Sequence, residues 1–179
     1  MSAKVEVWDP YVRIFHWSLV ASIALAWLAA DEVKDVHEFA GYAAGALVAS
    51  RLVMGLIGSR YARFSQFVRG PRKTIAYAAA MLRNREPRHM GHNPLGGLMI
   101  LLLIFLVSLA GLTGWLQTTD AYWGVEWVSE AHEIVVNTLL VSIALHVFGV
   151  AVESVRHGEN LALAMVTGRK RPPENDDIA

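Results

Sequence analysis

Four long apolar segments run along the chain, and a polar segment separates each one from the next. At a rise of about 1.5 Å per residue, each segment can form a helix that crosses a hydrocarbon core roughly 30 Å thick. The predicted spans cover residues 12–30, 37–58, 95–117 and 131–155. We therefore predict an all-α membrane protein, a four-helix up-down bundle formed by residues 1–171, with a disordered cytoplasmic tail at residues 172–179.

The composition agrees with a membrane protein and limits the metal chemistry. Hydrophobic residues make up 54% of the chain and charged residues 18%, with a mean hydropathy of +0.36, which favours a small polytopic membrane protein over a soluble domain. The chain has no cysteine, so iron–sulfur clusters, thiolate metal sites and covalent haem attachment through thioethers are excluded. Any haem must therefore be held by other side chains and by packing.

The basic residues predict the orientation of the bundle. The segment 59–92, between the second and third spans, carries eight of the sixteen Lys and Arg residues, and within it we expect a short interfacial helix from Pro71 to Leu82. The two loops on the opposite side contain a single basic residue, Lys34. Because cytoplasmic loops carry the excess of basic residues, both termini are predicted to be cytoplasmic.

The predicted outer surface is acidic. A positively charged soluble partner would be steered to this surface by its charge. The acidic residues on this side are Asp31, Glu32, Asp35, Glu38, Asp120, Glu126, Glu130 and Glu133.

Two histidines in the last span have a spacing that places them on one helix face. His132 and His146 are fourteen residues apart, which on an α-helix is a rise of roughly 21 Å and a rotation about 40° short of four turns. With the predicted topology, His37 matches the depth of His132 (the outer pair) and His16 matches the depth of His146 (the inner pair). Neutral imidazoles at facing positions of a bundle can bind a haem iron from both sides, so the sequence predicts two haems.

Other residues in the spans fit this hypothesis. Arg51 lies fourteen residues after His37 and so returns to the depth of the inner pair. A buried Arg requires an anion, for which a haem propionate is suitable, although Arg51 could instead extend to the interface. Gly41 and Gly149 follow His37 and His146 by about one turn and would leave room for a porphyrin.

Alternatives for the histidines are packing roles and a different metal. A zinc or copper site requires three or four ligands at one place, whereas these histidines divide into two separate pairs. A haem-free membrane anchor or a metal transporter stays open as a reading of a different class.

Several stretches resemble a known family. They are WDPYVRIFHW (8–17), HEFAGY (37–42), GSRYARF (58–64), GHNPLGGLM (91–99) and SEAHE (129–133) with the later ALHV (144–147). Over roughly residues 7–171 the chain is similar to the bacterial cytochrome b-561 and nickel-hydrogenase cytochrome b family. The resemblance implies a bundle in the bacterial inner membrane that encloses two b haems, with His16 and His146 at the cytoplasmic haem and His37 and His132 at the periplasmic haem.

The resemblance also implies a function in electron transport. Such a dihaem cytochrome transfers electrons between a periplasmic-side partner, a c-type cytochrome or another oxidoreductase, and the quinone pool. In related subunits, such as the membrane subunit of formate dehydrogenase, quinone binds at the start of the third helix, where this chain has Asn93 and Gly96. Further residues expected to contact propionates or quinone are Arg13, Arg51, Tyr61 and Arg63.

A second reading within the family is a stand-alone superoxide:quinone oxidoreductase, in which Lys34 attracts the anion. Lipid and quinone are the other expected partners, and no nucleic acid is expected. The sequence leaves open whether the chain acts alone or as a subunit of a larger quinone-linked oxidoreductase, and in which direction electrons flow.

Overall fold

A computed structural model describes residues 4–174, 177 and 178 of the chain. Within these residues the chain forms seven helices and two short strands. In chain order they are β1 (Val5–Glu6), α1 (Pro10–Leu28), α2 (Lys34–Ile57), α3 (Phe64–Phe67), α4 (Pro71–Leu82), α5 (Pro94–Leu116), α6 (Glu126–Arg156), α7 (Leu161–Thr167) and β2 (Arg169–Lys170).

Helices α1, α2, α5 and α6 are long and apolar enough to cross a membrane, with mean hydropathies from 1.4 to 2.7 over their most apolar windows. The prediction of an all-α protein with four membrane-spanning helices is therefore confirmed. Helix α4 has the bounds expected for the interfacial helix. The spanning helices extend beyond some of the apolar runs: α1 begins at Pro10 because Asp9 Oδ1 accepts a hydrogen bond from the Val12 N–H at 2.9 Å.

The chain divides into two compact units, of which unit 2 comprises residues 14–52 and 102–144. Its large apolar side chains, such as Phe39 and Phe105, are exposed, as expected for helices whose outer faces contact lipid. Small and branched residues fill its centre and allow the helices to approach closely. The buried members are Ala44, Val48, Leu106, Val107, Val135 and Leu139.

Unit 1 comprises residues 1–13, 53–101 and 145–179. Strand β1 pairs antiparallel with β2, with Val5 opposite Lys170. Gly168 ends α7 with φ of 80°, and a Cβ there would lie 2.7 Å from the Trp8 carbonyl oxygen, so this close approach requires glycine. The buried residues of this unit's core are Val7, Trp8, Val12, Ala62, Met90 and Ala164.

Residues near the C-terminus pack against the segment that precedes α5. The Ile178 N–H donates to the Arg88 carbonyl and the Met90 N–H donates to the Ile178 carbonyl, each at 2.9 Å. The buried Arg88 guanidinium also forms an ion pair with Asp177. The disorder predicted for 172–179 falls in part on residues 175, 176 and 179, which lie outside the described residues. Asp177 and Ile178 are among the described residues and have defined partners. The Asp177 carboxylate balances the buried charge of Arg88, and Ile178 forms the main-chain hydrogen bonds given above.

Candidate functional site

His37 on α2 and His132 on α6 lie next to each other in unit 2. Their ring centres are 6.2 Å apart and their ring planes are inclined at 80°. Both side chains are half-buried. Among the described residues, no three His, Cys, Asp or Glu side chains converge in a way that could hold a metal ion. The outer pair thus brings together two imidazoles from two different helices.

Hydrogen bonds determine which nitrogen of each ring carries the proton. His37 Nδ1 is 2.8 Å from the Ala26 carbonyl oxygen, and because a carbonyl can only accept, this nitrogen carries the proton. His132 Nδ1 is 3.0 Å from Thr113 Oγ1. The Thr113 hydroxyl donates to the Leu109 carbonyl at 2.9 Å, so its oxygen accepts from His132. Each Nε2 therefore keeps a free lone pair.

Glycines shape the space around the outer pair. A Cβ on Gly114 would lie 3.2 Å from His132 Cε1, so the absence of a side chain on α5 lets this ring occupy its position. On α2, a Cβ at Gly41 or Gly45 would have no described atom within 4 Å. The helix face one to two turns after His37 is therefore open to a bulky planar group.

Arg51 is buried in unit 2. It lies fourteen residues after His37 on α2, and its relative exposure is 3%. The side chain is thus enclosed, and the alternative that it extends to the interface does not describe this structure. A buried guanidinium stabilises an anionic group placed beside it.

The two histidines of the inner pair are both half-buried, but they belong to different units. His16 on α1 belongs to unit 2, and its ring makes an edge contact with Trp17 at 5.1 Å. His146 on α6 belongs to unit 1, and Gly149, about one turn later, has no described atom within 4 Å of a hypothetical Cβ. Each histidine thus stands on a spanning helix, and the pairing of His16 with His146 stays a prediction from the sequence.

A family model described as prokaryotic cytochrome b561 matches residues 7–168. The chain belongs to the prokaryotic cytochrome b561 family. No curated protein and no solved structure matches it. The resemblance seen in the sequence is confirmed, and the family is one of membrane b-type cytochromes that bind haem and function in electron transfer. The protein is therefore a multi-pass membrane cytochrome.

Asn93 and Gly96 are the expected quinone contacts of this cytochrome. In the structure they form the N-terminal cap of α5. Asn93 Oδ1 accepts a hydrogen bond from the Gly96 N–H at 2.7 Å, and Pro94 occupies the first helical position. A Cβ on Gly96 would lie 3.3 Å from that oxygen. The carbonyl end of the Asn93 side chain therefore acts as a helix cap, and its NH2 group is the end that can donate to a ligand.

The three other expected contact residues of unit 1 have different environments. Tyr61 is half-buried beside Trp8, with ring centres 6.5 Å apart. Arg13 is half-buried next to Gly168. Arg63 is exposed, just before α3. Tyr61 thus packs against the core of unit 1, Arg13 lies beside it at Gly168, and Arg63 lies at the surface.

Lys34 is the first residue of α2, about one turn before His37. In the superoxide:quinone oxidoreductase hypothesis, this lysine attracts the superoxide anion. Its ammonium lies 3.5 Å from Glu38 Oε1 and 4.3 Å from the centre of the Trp123 ring. These contacts balance part of its charge at the surface of unit 2.

Sequence reasoning missed a polar cluster beside the start of α5. Tyr77 on α4 donates to Glu153 Oε1 at 3.2 Å, and Glu153 Oε2 is 3.1 Å from His157 Nε2. Burial, and then the charge of Glu153, raise the pKa of Tyr77 well above its ordinary value. The detectable signal was the four-residue spacing of Glu153 and His157 at the end of the last span.

Proposed function

We propose that this protein is a dihaem b-type cytochrome that carries electrons across the bacterial inner membrane between a periplasmic redox partner and the quinone pool. The observation that carries the proposal is the outer pair, in which two imidazoles from different helices adjoin and each keeps an unprotonated Nε2. Residues 1–171 form the membrane domain in this proposal.

The outer pair fits a haem iron. Two neutral imidazoles that adjoin from different helices would hold a haem iron through their unprotonated nitrogens. The separation of His37 and His132 is 6.2 Å. The hydrogen bonds at both Nδ1 atoms are those that typically orient metal-ligating histidines. The open face beside Gly41 and Gly45 offers room for the porphyrin.

The inner haem is proposed from the helical positions of His16 and His146. Gly149 leaves open space next to His146, and the buried Arg51 supplies a positive charge for a propionate. Arg13 and Tyr61 are proposed as further contacts of the cofactor or of quinone, and the exposed Arg63 as a contact of a propionate. Bound haem supplies one-electron redox chemistry, while the protein provides ligation, orientation and an apolar environment.

The charge distribution supports an orientation with both termini in the cytoplasm and the outer pair near the periplasm. Of the eight acids on the loops and helix ends of unit 2, all but Glu38 are exposed. This surface would attract a positively charged electron carrier such as a c-type cytochrome. We propose that quinone binds near the cytoplasmic side, where the Asn93 NH2 group can donate to a quinone carbonyl.

The direct test uses the purified cytochrome in lipid nanodiscs with a short-chain quinol and a basic c-type cytochrome. We expect the quinol to reduce the haems and the haems to reduce the soluble cytochrome. The second rate should fall by about tenfold or more as salt rises, because steering by exposed charges is screened.

The double variant Asp31→Asn/Glu32→Gln should weaken this salt dependence, whereas Glu174→Gln, an exposed acid of unit 1, should not. Haems that neither quinol nor quinone oxidises or reduces would contradict the proposal. Haem reduction by superoxide, with quinone as acceptor and no protein partner, would instead support the stand-alone superoxide:quinone oxidoreductase.

A further inference from the structure

Helix α4 and the residues beside it carry positive charge that the proposed electron transfer does not use. The five bases of this stretch are all exposed and are called the α4 bases below: Arg69, Arg72, Lys73, Arg83 and Arg85. Residues 69–85 contain no acid. The next acid, Glu86, is occupied by Arg156 at 2.6 Å. Among the described residues, none of the α4 bases forms an ion pair with a carboxylate, so their charge is not balanced from within this part of the chain.

Hydrogen bonds determine which face of α4 packs against the rest of unit 1. The Tyr77 hydroxyl donates to Glu153 Oε1 at 3.2 Å, and Arg156 Nη1 donates to the Met81 carbonyl at 2.9 Å. Glu153 and Arg156 belong to the last turn of the spanning helix α6. Helix α4 is therefore attached to the end of a span, where the lipid head groups begin, and it packs through the side of Tyr77, which is 6% exposed.

The opposite face of α4 is apolar and exposed. Ile75 and Leu82 are seven residues apart, so they lie within about 20° of each other around the helix, whereas Tyr77 lies about 200° from Ile75. The relative exposures of Ile75 and Leu82 are 68% and 87%. Large apolar side chains on one face of a basic surface helix are typical of helices that lie in the membrane interface. This face is thus suited to contact acyl chains.

The α4 bases stand at both ends of this apolar face. Arg72 lies about 60° from Ile75 around the helix, and Arg83 directly follows Leu82. Arg72 and Lys73 are in the first turn of α4, where the helix dipole disfavours cations and where no acid accompanies them. An anion that approaches these side chains would relieve this repulsion. The arrangement therefore combines a demand for negative charge with a demand for apolar contact.

We propose that α4 is a binding surface for anionic phospholipids, whose head groups contact the α4 bases while their acyl chains contact Ile75 and Leu82. Clusters of basic residues beside a spanning helix attract anionic lipids in this way. A zwitterionic phospholipid has no net charge and would satisfy only the apolar face. A soluble anion would satisfy only the bases. The inference goes beyond electron transfer and depends on neither haem nor quinone.

The test measures lipid binding to the complete holoprotein by native mass spectrometry, with phosphatidylglycerol and phosphatidylcholine of identical acyl chains as probes. We expect the unmodified protein to favour phosphatidylglycerol by about tenfold or more. The double variant Arg72→Gln/Lys73→Gln should reduce this preference to about threefold or less. The matched control Lys4→Gln/Arg169→Gln removes two exposed bases elsewhere in unit 1 and should keep the preference.

A second measurement locates the apolar face of α4 relative to the bilayer. The chain has no cysteine, so Ile75→Cys provides a single site for a spin label. In nanodiscs that contain phosphatidylglycerol, this label should be more accessible to oxygen, which concentrates among acyl chains, than to a water-soluble nickel chelate. A label introduced through Glu174→Cys, at an exposed acid of the same unit, should show the reverse order.

Haem content and helical content of each variant, measured on the same samples, show whether it is folded. Equal affinity for the two lipids, a preference that survives in Arg72→Gln/Lys73→Gln, or an equal loss in the control would overturn the proposal. Displacement of phosphatidylglycerol by an equal concentration of inorganic phosphate would assign the bases to soluble anions instead. If the double variant does not fold, the lipid preference of the unmodified protein and the label at position 75 decide. Failure of the lipid proposal leaves the proposed electron transfer intact, because no haem reduction is measured.

Discussion

At the scale of single residues, the outer imidazoles are oriented through their Nδ1 atoms. The partner of His37 is a main-chain carbonyl of α1, whereas that of His132 is the Thr113 hydroxyl on α5. The first partner cannot be removed by substitution of its side chain. The Thr113 hydroxyl can be removed by substitution, and such a variant tests whether the orientation of the His132 ring contributes to metal binding.

Replacement of Thr113 by valine keeps the shape of the side chain and removes the oxygen that accepts from His132 Nδ1. Loss of such a supporting hydrogen bond commonly lowers metal affinity 10- to 100-fold. We expect Thr113→Val to reduce occupancy of the outer haem, and to leave the inner haem intact, in a titration of the apoprotein with haem.

Thr138→Val on α6 is the matched control, because the Thr138 hydroxyl donates only to the Ile134 carbonyl of its own helix among the described residues. Equal haem affinity in the two variants would show that the Thr113 hydroxyl has no part in holding the cofactor.

The open faces beside Gly41 and Gly149 allow a second test. No described atom would lie within 4 Å of a Cβ at either position, and leucine favours helix over glycine by up to about 1 kcal/mol. The described residues leave room for a Cβ at both positions, so we expect Gly41→Leu and Gly149→Leu to fold, whereas their side chains would occupy the space of a porphyrin. We expect the first variant to lose the outer haem and the second to lose the inner haem, with unchanged helical content by circular dichroism.

Gly70→Leu, at a similarly open position before α4, should keep both haems. Full haem content in all three variants would place the porphyrins elsewhere.

The sequence predicts that His37 and His132 lie at the same depth, because each stands at the outer end of an apolar span in the predicted topology. It did not predict Ala26 or Thr113 as their partners, because these contacts depend on how neighbouring helices are rotated. The capping role of Asn93 was accessible from the Asn-Pro pair that precedes α5. The resemblance assigned Asn93 to quinone, and the structure shows that its carbonyl end also caps the helix.

At the scale of elements, the four spans were predictable because each is a long apolar run, but their ends depend on local caps. Helix α6 begins at Glu126, five residues before the predicted span, because acidic residues in a first turn favour helix without being apolar. The packing of β1, β2 and α7 against the segment before α5 was not predictable, since it depends on ion pairs between residues distant in sequence.

Arg88 is central to this packing. Its guanidinium donates to both carboxylate oxygens of Glu159 at 2.9 and 3.0 Å and to the Arg171 carbonyl at 3.1 Å. Removal of one partner of a buried ion pair commonly costs about 3–5 kcal/mol, because the other charge stays buried. We expect Arg88→Ala to lower the local opening free energy of residues 161–170 by this amount, measured by amide hydrogen exchange.

Arg171→Ala is the comparison, because Arg171 pairs with Glu174 at the surface, where the side chains are 40% and 70% exposed. Exposed pairs contribute about 1 kcal/mol or less. Hydrogen exchange that changes equally little in both variants would show that the ion pairs of Arg88 do not hold this region together.

At the scale of the whole molecule, the chain combines apolar spans with an uneven distribution of charge along the sequence. Lys and Arg are concentrated between α2 and α5, and acids in the loops before α2 and before α6. This asymmetry was readable from the sequence, since it depends on composition alone. In the proposed function, the acidic residues attract the soluble electron carrier and quinone binds on the basic side.

The measurement that tests this account most directly is haem content with reduced-minus-oxidised spectra, on the unmodified protein and on four single histidine-to-alanine variants. We predict two b haems per chain in the unmodified protein. His37→Ala and His132→Ala should lose the same haem, and His16→Ala and His146→Ala should lose the other. A chain that binds one haem or none, or variants that do not fall into these two pairs, would contradict the paired ligation on which the proposed function depends.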